Sequence, residues 1–253
     1  MTDIPAALET EKLSLNFGAL HVANAIDFRL DPGARHALIG PNGAGKTTFV
    51  NLVAGRLTPT SGRILLDGLP ITHLPQDTRV KKGLVRTFQI NALFRDLSLL
   101  ENVTLAISER VGIASNMWRS AGSHRAVIAE AYALLEDLGL ADDALRSVRE
   151  LAYGRQRLAE LAVALALKPK VLLLDEPAAG VPSGESGVII AMIERLPADI
   201  TLLIIEHDMD LVFRIAKRIT VLLRGRILVE GTPAEISENA EVREVYLGER
   251  TPT

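Results

Sequence analysis

The sequence predicts an α/β fold with a largely parallel core sheet, an antiparallel β portion near the N-terminus and a helical insertion in the middle. Three observations carry this reading. Apolar runs of strand length, such as Val171–Leu174 and Thr201–Ile205, alternate with helical patterns and Gly/Pro punctuation, the rhythm of strands joined by crossover helices. Near the start, the short runs Leu13–Phe17, Ala25–Leu30 and Arg63–Asp67 are separated by turns such as Asp31-Pro32-Gly33 and Thr60-Ser61-Gly62, which suits antiparallel pairing. Between 91 and 157 the pattern is helical. The expected organisation is one domain over 1–253, with a core formed by 1–90 and 158–253 and a helical subdomain at 91–157.

Taken in order, Arg35–Ile39 reads as a strand running into a glycine-rich loop, and Thr48–Ala54 as the helix after it. Ser98 and Glu101 form a capping box that opens a helix over Leu99–Ser108. Ser123 is a candidate cap for a second helix carrying Val127, Leu134, Leu135 and Leu138 and ended by Gly139. Val111–Gly122 is the least legible stretch and holds Trp118; packing inside the helical subdomain and contact with a partner are both open readings. Lys168-Pro169 stops a helix, and Val171–Leu174 follows as a buried strand. Thr232-Pro233-Ala234-Glu235 is another capping box, with proline at the first helical position.

Composition bounds the partners. The chain has 253 residues, 48% of them hydrophobic, enough for a sizeable core. A net charge of -3 gives no bulk attraction to nucleic acid, which is not expected as a partner. There is no cysteine, so disulfides and thiolate metal sites are excluded. The apolar runs fall far below the roughly 18 residues of a membrane span. The first residues carry Asp3, Glu9 and Glu11 and no basic stretch of the secretory kind. A cytoplasmic protein is expected, attached to a membrane only through partners.

Gly40-Pro41-Asn42-Gly43-Ala44-Gly45-Lys46-Thr47 fits G-x-x-x-x-G-K-[ST], a phosphate-binding loop between strand and helix. Its glycines let backbone N–H groups turn toward phosphate oxygens, and the helix that opens near Gly45 and runs through Thr48 adds its positive end. Lys46 is a mobile charge for the β- and γ-phosphates. The Thr47 hydroxyl is a hard oxygen ligand for Mg²⁺. Asp175 and Glu176 sit where the Val171–Leu174 strand ends, the place where open α/β sheets bind ligands. There Asp175 serves the Mg²⁺ shell and Glu176 accepts a proton from attacking water; surface acids that merely follow a strand are the plainer alternative. Ile204-Ile205-Glu206-His207-Asp208 repeats the geometry, which puts His207 within reach of a γ-phosphate, although a lone histidine is more often structural. The catalytic candidates are Glu176, His207 and Lys46, and the cofactors are ATP and Mg²⁺.

Leu151-Ala152-Tyr153-Gly154-Arg155-Gln156-Arg157, upstream of Asp175, resembles the ABC signature, usually L-S-G-G-Q. With Gln89, Ala178–Pro182 and His207 in the expected order, nearly the whole chain resembles the ABC transporter ATPase family. Leu-Ala-Tyr-Gly, Asp175-Glu176-Pro177-Ala178-Ala179-Gly180, Ile205-Glu206-His207-Asp208-Met209 and the closing Tyr246-Leu247-Gly248-Glu249 are similar to the branched-chain amino acid importer type. The resemblance implies a P-loop NTPase (RecA-like) core with an antiparallel β subdomain and an inserted α-helical subdomain. It implies that Phe17 stacks on adenine, core packing being the other reading, and that Gln89 joins the Mg²⁺ shell. It implies a dimer in which Leu151, Ala152, Tyr153 and Gly154 meet ATP held by a second ATPase subunit. Two membrane permeases and, indirectly, a solute-binding protein complete the implied assembly, with Ile90–Asn102 bordering the permease groove.

Three departures from the family matter for the sites. Ala152 replaces the signature serine, Arg155 replaces the glutamine, and Pro182 stands where an aspartate is common. They lead us to expect two unequal composite sites and a heterodimer rather than a homodimer. An ATPase of the lipopolysaccharide-export type and a soluble non-transport ABC ATPase remain the alternatives. The transported substrate is not expected to touch this chain.

Overall fold

The computed structural model describes residues 5–18, 20–87, 93–113, 125–181 and 183–247. Gln89, Trp118, Ser123 and Pro182 lie outside these residues. The chain divides into two compact units. The first comprises 1–84, 170–176 and 197–253, and the second 85–169 and 177–196.

The first unit opens with antiparallel pairing, as the turn-separated runs predict. Strand β1 (Leu8–Phe17) lies between β2 (Leu20–Leu30) and β4 (Ser61–Leu66), and β5 (Leu69–Pro70) extends the far edge beyond β4. The second sheet uses β3 (Arg35–Ile39), β7 (Val171–Asp175), β8 (Thr201–Ile205), β9 (Arg218–Leu223) and β10 (Arg226–Gly231) in the order β10-β9-β3-β8-β7. A strand β6 starts at Leu84 beyond β7, where the chain leaves this unit. β3 runs parallel to both β8 and β9, and β8 runs parallel to β7. The β9–β10 hairpin is antiparallel. The carboxyl ends of β3, β7 and β8 therefore share one edge of the sheet.

Alternation along the strands explains the layering. Leu38, Leu173, Leu203, Ile205 and Leu222 join a core with Leu8, Leu13, Ile26 and Leu30 of the antiparallel sheet and with Phe49, Leu52 and Val53 of α1 (Lys46–Ala54). Phe28 meets Phe49 edge-on, with ring centroids 5.4 Å apart. Ala37, Ile39, Ile219 and Val221 face the other way. They pack on Val212 of α7 (Met209–Ile215), Ile236 of α8 (Pro233–Glu238) and Val242 of α9 (Ala240–Leu247). α8 opens with the expected Thr232–Glu235 capping box. Arg79, in α2 (Gln76–Lys81), is almost wholly buried and caps the end of α1, donating Nη1 to Leu52 O at 2.8 Å and to Val53 O at 2.6 Å.

The second unit is helical. It contains α3 (Leu99–Arg110), α4 (Arg125–Asp137), α5 (Tyr153–Ala166) and α6 (Ser183–Glu194). Its span exceeds 91–157 because α5 packs on α3 and α4, and α6 on α5. Ser98 and Glu101 form the expected reciprocal capping box. Arg110 staples three helices, donating to Ala166 O at 2.7 Å and to Glu130 Oε2 at 2.7 Å. That hydrogen bond and a second from Lys168 hold the Glu130 carboxyl below its usual range. Among the described residues no helix is long and apolar enough to cross a membrane.

Candidate active site

The loop after β3 is built by glycine. Gly45 caps α1 with φ 103°, and Gly43 sits at φ 76°. An L side chain is strained in that left-handed region. A Cβ on Gly45 would lie 2.9 Å from Val22 O, whereas one on Gly43 would meet nothing within 4 Å. The loop is thus tight against β2 on one side and open on the other. Gly225, at the turn of the β9–β10 hairpin, braces it by donating its N–H to Ala44 O at 2.8 Å. Gly225 O in turn accepts from Asn24 N–H at 2.8 Å. This brace is invisible in the local motif, because its parts are some 180 residues apart along the chain.

Lys46 turns back across the loop. Its Nζ donates to Gly40 O at 2.5 Å and to Pro41 O at 3.0 Å. Pro41 O also accepts from Ala44 N–H at 3.1 Å, so Pro41, Ala44 and Lys46 are tied into one ring of contacts. Asn42 and Thr47 are exposed, and Thr48 is partly buried at the start of the helix. Phe17, at the end of β1, is 57% exposed, which rules out core packing in this chain.

Parallel register places the acids. Asp175 is paired with Ile205, so β7 and β8 end level. Glu176 leaves the strand at φ 47°, a left-handed conformation uncommon for a non-glycine residue, with its N–H donated to Ile205 O at 2.9 Å. The bend carries Glu176 toward the end of the neighbouring strand, where its Oε1 lies 3.8 Å from Nδ1 of His207.

A residue without a sequence-assigned role supports this pair. Glu206 is only 2% exposed. Its Oε2 accepts from the backbone N–H groups of His207 at 2.8 Å and Asp208 at 3.3 Å, and lies 3.4 Å from His207 Nδ1. Asp208 then caps α7, accepting from Asp210 N–H at 3.0 Å and Leu211 N–H at 3.3 Å. A charged residue directly after the apolar run Leu202–Ile205 was the available signal for Glu206.

Among the described residues, no cluster of three or more His, Cys, Asp or Glu side chains could hold a metal on its own. Mg²⁺ at nucleotide sites is held by one or two protein oxygens together with phosphates. Thr47 and Asp175 are hard oxygen donors at this sheet edge and fit that mode.

The signature-like segment lies in the second unit. Leu151 is buried, and Ala152 is the N-cap of α5 with no side-chain cap. Gly154 is buried in the first turn. Arg155 is engaged elsewhere, donating Nη1 to Gly139 O at 2.6 Å and lying 3.3 Å from Asp143 Oδ2. Tyr153 uses its hydroxyl on Ala179 O at 3.0 Å.

With this geometry in view, the comparisons with known proteins are specific. The ABC transporter family model matches residues 23–179, and the model of the branched-chain amino acid ATP-binding cassette transporter matches 226–251. The chain is 38% identical to the high-affinity branched-chain amino acid transport ATP-binding protein BraF of Pseudomonas aeruginosa, over 96% of this chain and 98% of that protein. It is 39% identical to LivG of Escherichia coli over the same shares. Among solved structures, the ADP conformation of MJ1267, an ATP-binding cassette of an ABC transporter, superposes with a TM-score of 0.85 at 30% identity, covering 96% of this chain and 99% of that one. A nucleotide-free ATP-binding cassette gives 0.83 at 29% identity, covering 95% and 98%. The chain belongs to the ABC transporter ATP-binding family, in its branched-chain amino acid cassette branch.

Proposed function

We propose that this chain binds and hydrolyses Mg-ATP to drive an importer of branched-chain amino acids or related small polar compounds. The observation that carries the chemistry is the shared edge of β3, β7 and β8, where the phosphate loop, Glu176 and His207 end together. Phe17 stacks on adenine. Residues Gly40 to Thr48 hold the phosphates, with Lys46 exchanging its loop carbonyls for phosphate oxygens. Thr47, Asp175 and Gln89 would hold Mg²⁺, which would supply positive charge against the phosphates. Glu176 accepts the proton of the attacking water, and the imidazole of His207 holds the γ-phosphate and that water in line. Leu151, Ala152, Tyr153 and Gly154 serve ATP bound by a second ATPase subunit, through backbone N–H groups at the start of α5. Two permeases anchor the pair at the inner face of the membrane, and a solute-binding protein delivers the cargo. The transport named for the BraF and LivG relatives supports the substrate class.

Glu176→Gln tests the chemistry. It should keep ATP affinity and lose turnover by ~10²–10⁴-fold, the usual contribution of a general base. A partner-complete complex carrying Glu176→Gln that hydrolyses ATP at the wild-type rate would overturn this role.

A further inference from the structure

The signature-like segment differs from the usual form by carrying Tyr153 where a glycine is common, and the second unit gives that side chain a specific task. Tyr153 is the first residue of α5. Its hydroxyl donates to Ala179 O at 3.0 Å. Arg157, one turn along the helix, donates Nη2 to the same carbonyl at 3.2 Å and to Tyr153 Oη at 2.9 Å. Its guanidinium carbon lies 5.2 Å from the centre of the tyrosine ring. The other arm, Nη1, donates to Glu160 Oε2 at 3.0 Å. Both charged side chains are buried, Arg157 to 8% and Glu160 to 5% exposure. Burial pushes the Glu160 carboxyl up, to about 7, even though the bond from Arg157 pulls it down.

The receiving turn is shaped for this contact. Gly180 has φ +74°, and a Cβ there would lie 2.8 Å from Tyr153 Oη. Any other residue at 180 would both strain the backbone and push the hydroxyl from its acceptor. Four residues thus depend on one another: Tyr153 and Arg157 need the Ala179 carbonyl, Gly180 makes room for the hydroxyl, and Glu160 steadies the arginine. A buried guanidinium fixed at both ends is costly to maintain unless its geometry is used.

We infer that Tyr153 and Arg157 are positioning residues that fasten the 177–181 turn to the start of the signature helix, so that the two shift as one body when the signature engages nucleotide. The second half of that statement rests on the functional reading above. The turn follows Glu176, the proposed base, directly in the chain.

Tyr153→Phe is the informative variant, because it deletes one hydroxyl and keeps the ring under the guanidinium. Hydrogen exchange measured on the full chain should show amides 178–181 exchanging about 5-fold faster than in wild type, the scale of one lost hydrogen bond, with the 40–47 loop unchanged. Arg157→Gln should act in the same direction. In ATPase assays Tyr153→Phe should lower kcat several-fold with KM for Mg-ATP unchanged, because the chain's own phosphate loop is untouched. Wild-type protection of amides 178–181 in Tyr153→Phe overturns the proposal. Faster exchange with full turnover overturns the coupling to function. A wild-type chain that neither binds nor hydrolyses ATP sinks the functional reading instead, and the exchange measurement then decides the fastening alone.

Discussion

Individual side chains at the sheet edge depend on neighbours that a motif search passes over. Glu176 and His207 come from strands about thirty residues apart in sequence, and the level ends of β7 and β8 bring them to 3.8 Å. Glu206 fixes the histidine by accepting two backbone N–H groups from a position with almost no solvent contact. A buried charge is retained only where such partners compensate its desolvation. Glu206→Ala should therefore destabilise the chain by roughly 1.5–3 kcal/mol, the worth of hydrogen bonds to a charged group. It should also lower ATP turnover about 10-fold while nucleotide affinity holds, since His207 loses its orientation but the phosphate loop does not change. Glu206→Gln keeps one acceptor oxygen and should fall between. Urea unfolding with steady-state kinetics checks both effects, and an unaltered kcat in Glu206→Ala would remove the positioning role.

Elements carry their own signatures, and α5 shows what happens when one is missing. The helix begins at Tyr153, and its N-cap is Ala152, which offers no side-chain acceptor to the first turn. By contrast Ser98 and Thr232 cap α3 and α8 with reciprocal boxes. The signature serine of the family falls at this N-cap, so its loss removes a cap as well as a hydroxyl. Ala152→Ser should stabilise the chain by about 1 kcal/mol. A higher urea midpoint at unchanged m-value is the expected reading. No change in midpoint would mean that a serine here does not reach the N–H groups of Gly154 or Arg155. Helix ends of this kind were legible in the sequence because a cap is a local hydrogen bond between residues three apart. Gly139 was legible for the same reason: it follows α4 at φ +66° and lets Leu140 N–H reach Leu135 O at 2.7 Å.

Across the whole molecule, packing sets stability terms that no local window contains. His36, on β3 ahead of the phosphate loop, is 2% exposed, its Nε2 lies 2.8 Å from Thr220 Oγ1, and its ring is edge-on to Phe28. Burial pushes its pKa down from 6.5 to about 4, against an upward pull from Glu230 and with a further downward push from Arg218. The folded chain therefore holds His36 neutral while the unfolded chain takes up a proton as pH falls through 6.5. Its contribution is complete above about pH 6.5 and is lost progressively down to about pH 4, to a full extent of roughly 3 kcal/mol. Unfolding free energies measured from pH 4 to 7 should fall toward acid, and His36→Gln should flatten that slope. An equal slope in the variant would assign the acid sensitivity to other groups.

The sequence by itself determined the α/β class, the antiparallel start, the glycine-rich loop after β3, the acids at the end of β7 and the caps of α3 and α8. Each of these is written in residues a few positions apart, where glycine torsions, capping bonds and apolar alternation act locally. The tertiary structure alone decided what those residues rest on. It set Gly225 under the phosphate loop, Glu206 behind His207, Arg79 at the end of α1, and Tyr153 with Arg157 on the Ala179 carbonyl. These contacts join residues brought together by strand register or helix packing, and their energies depend on burial. Neither quantity exists in the chain until it has folded.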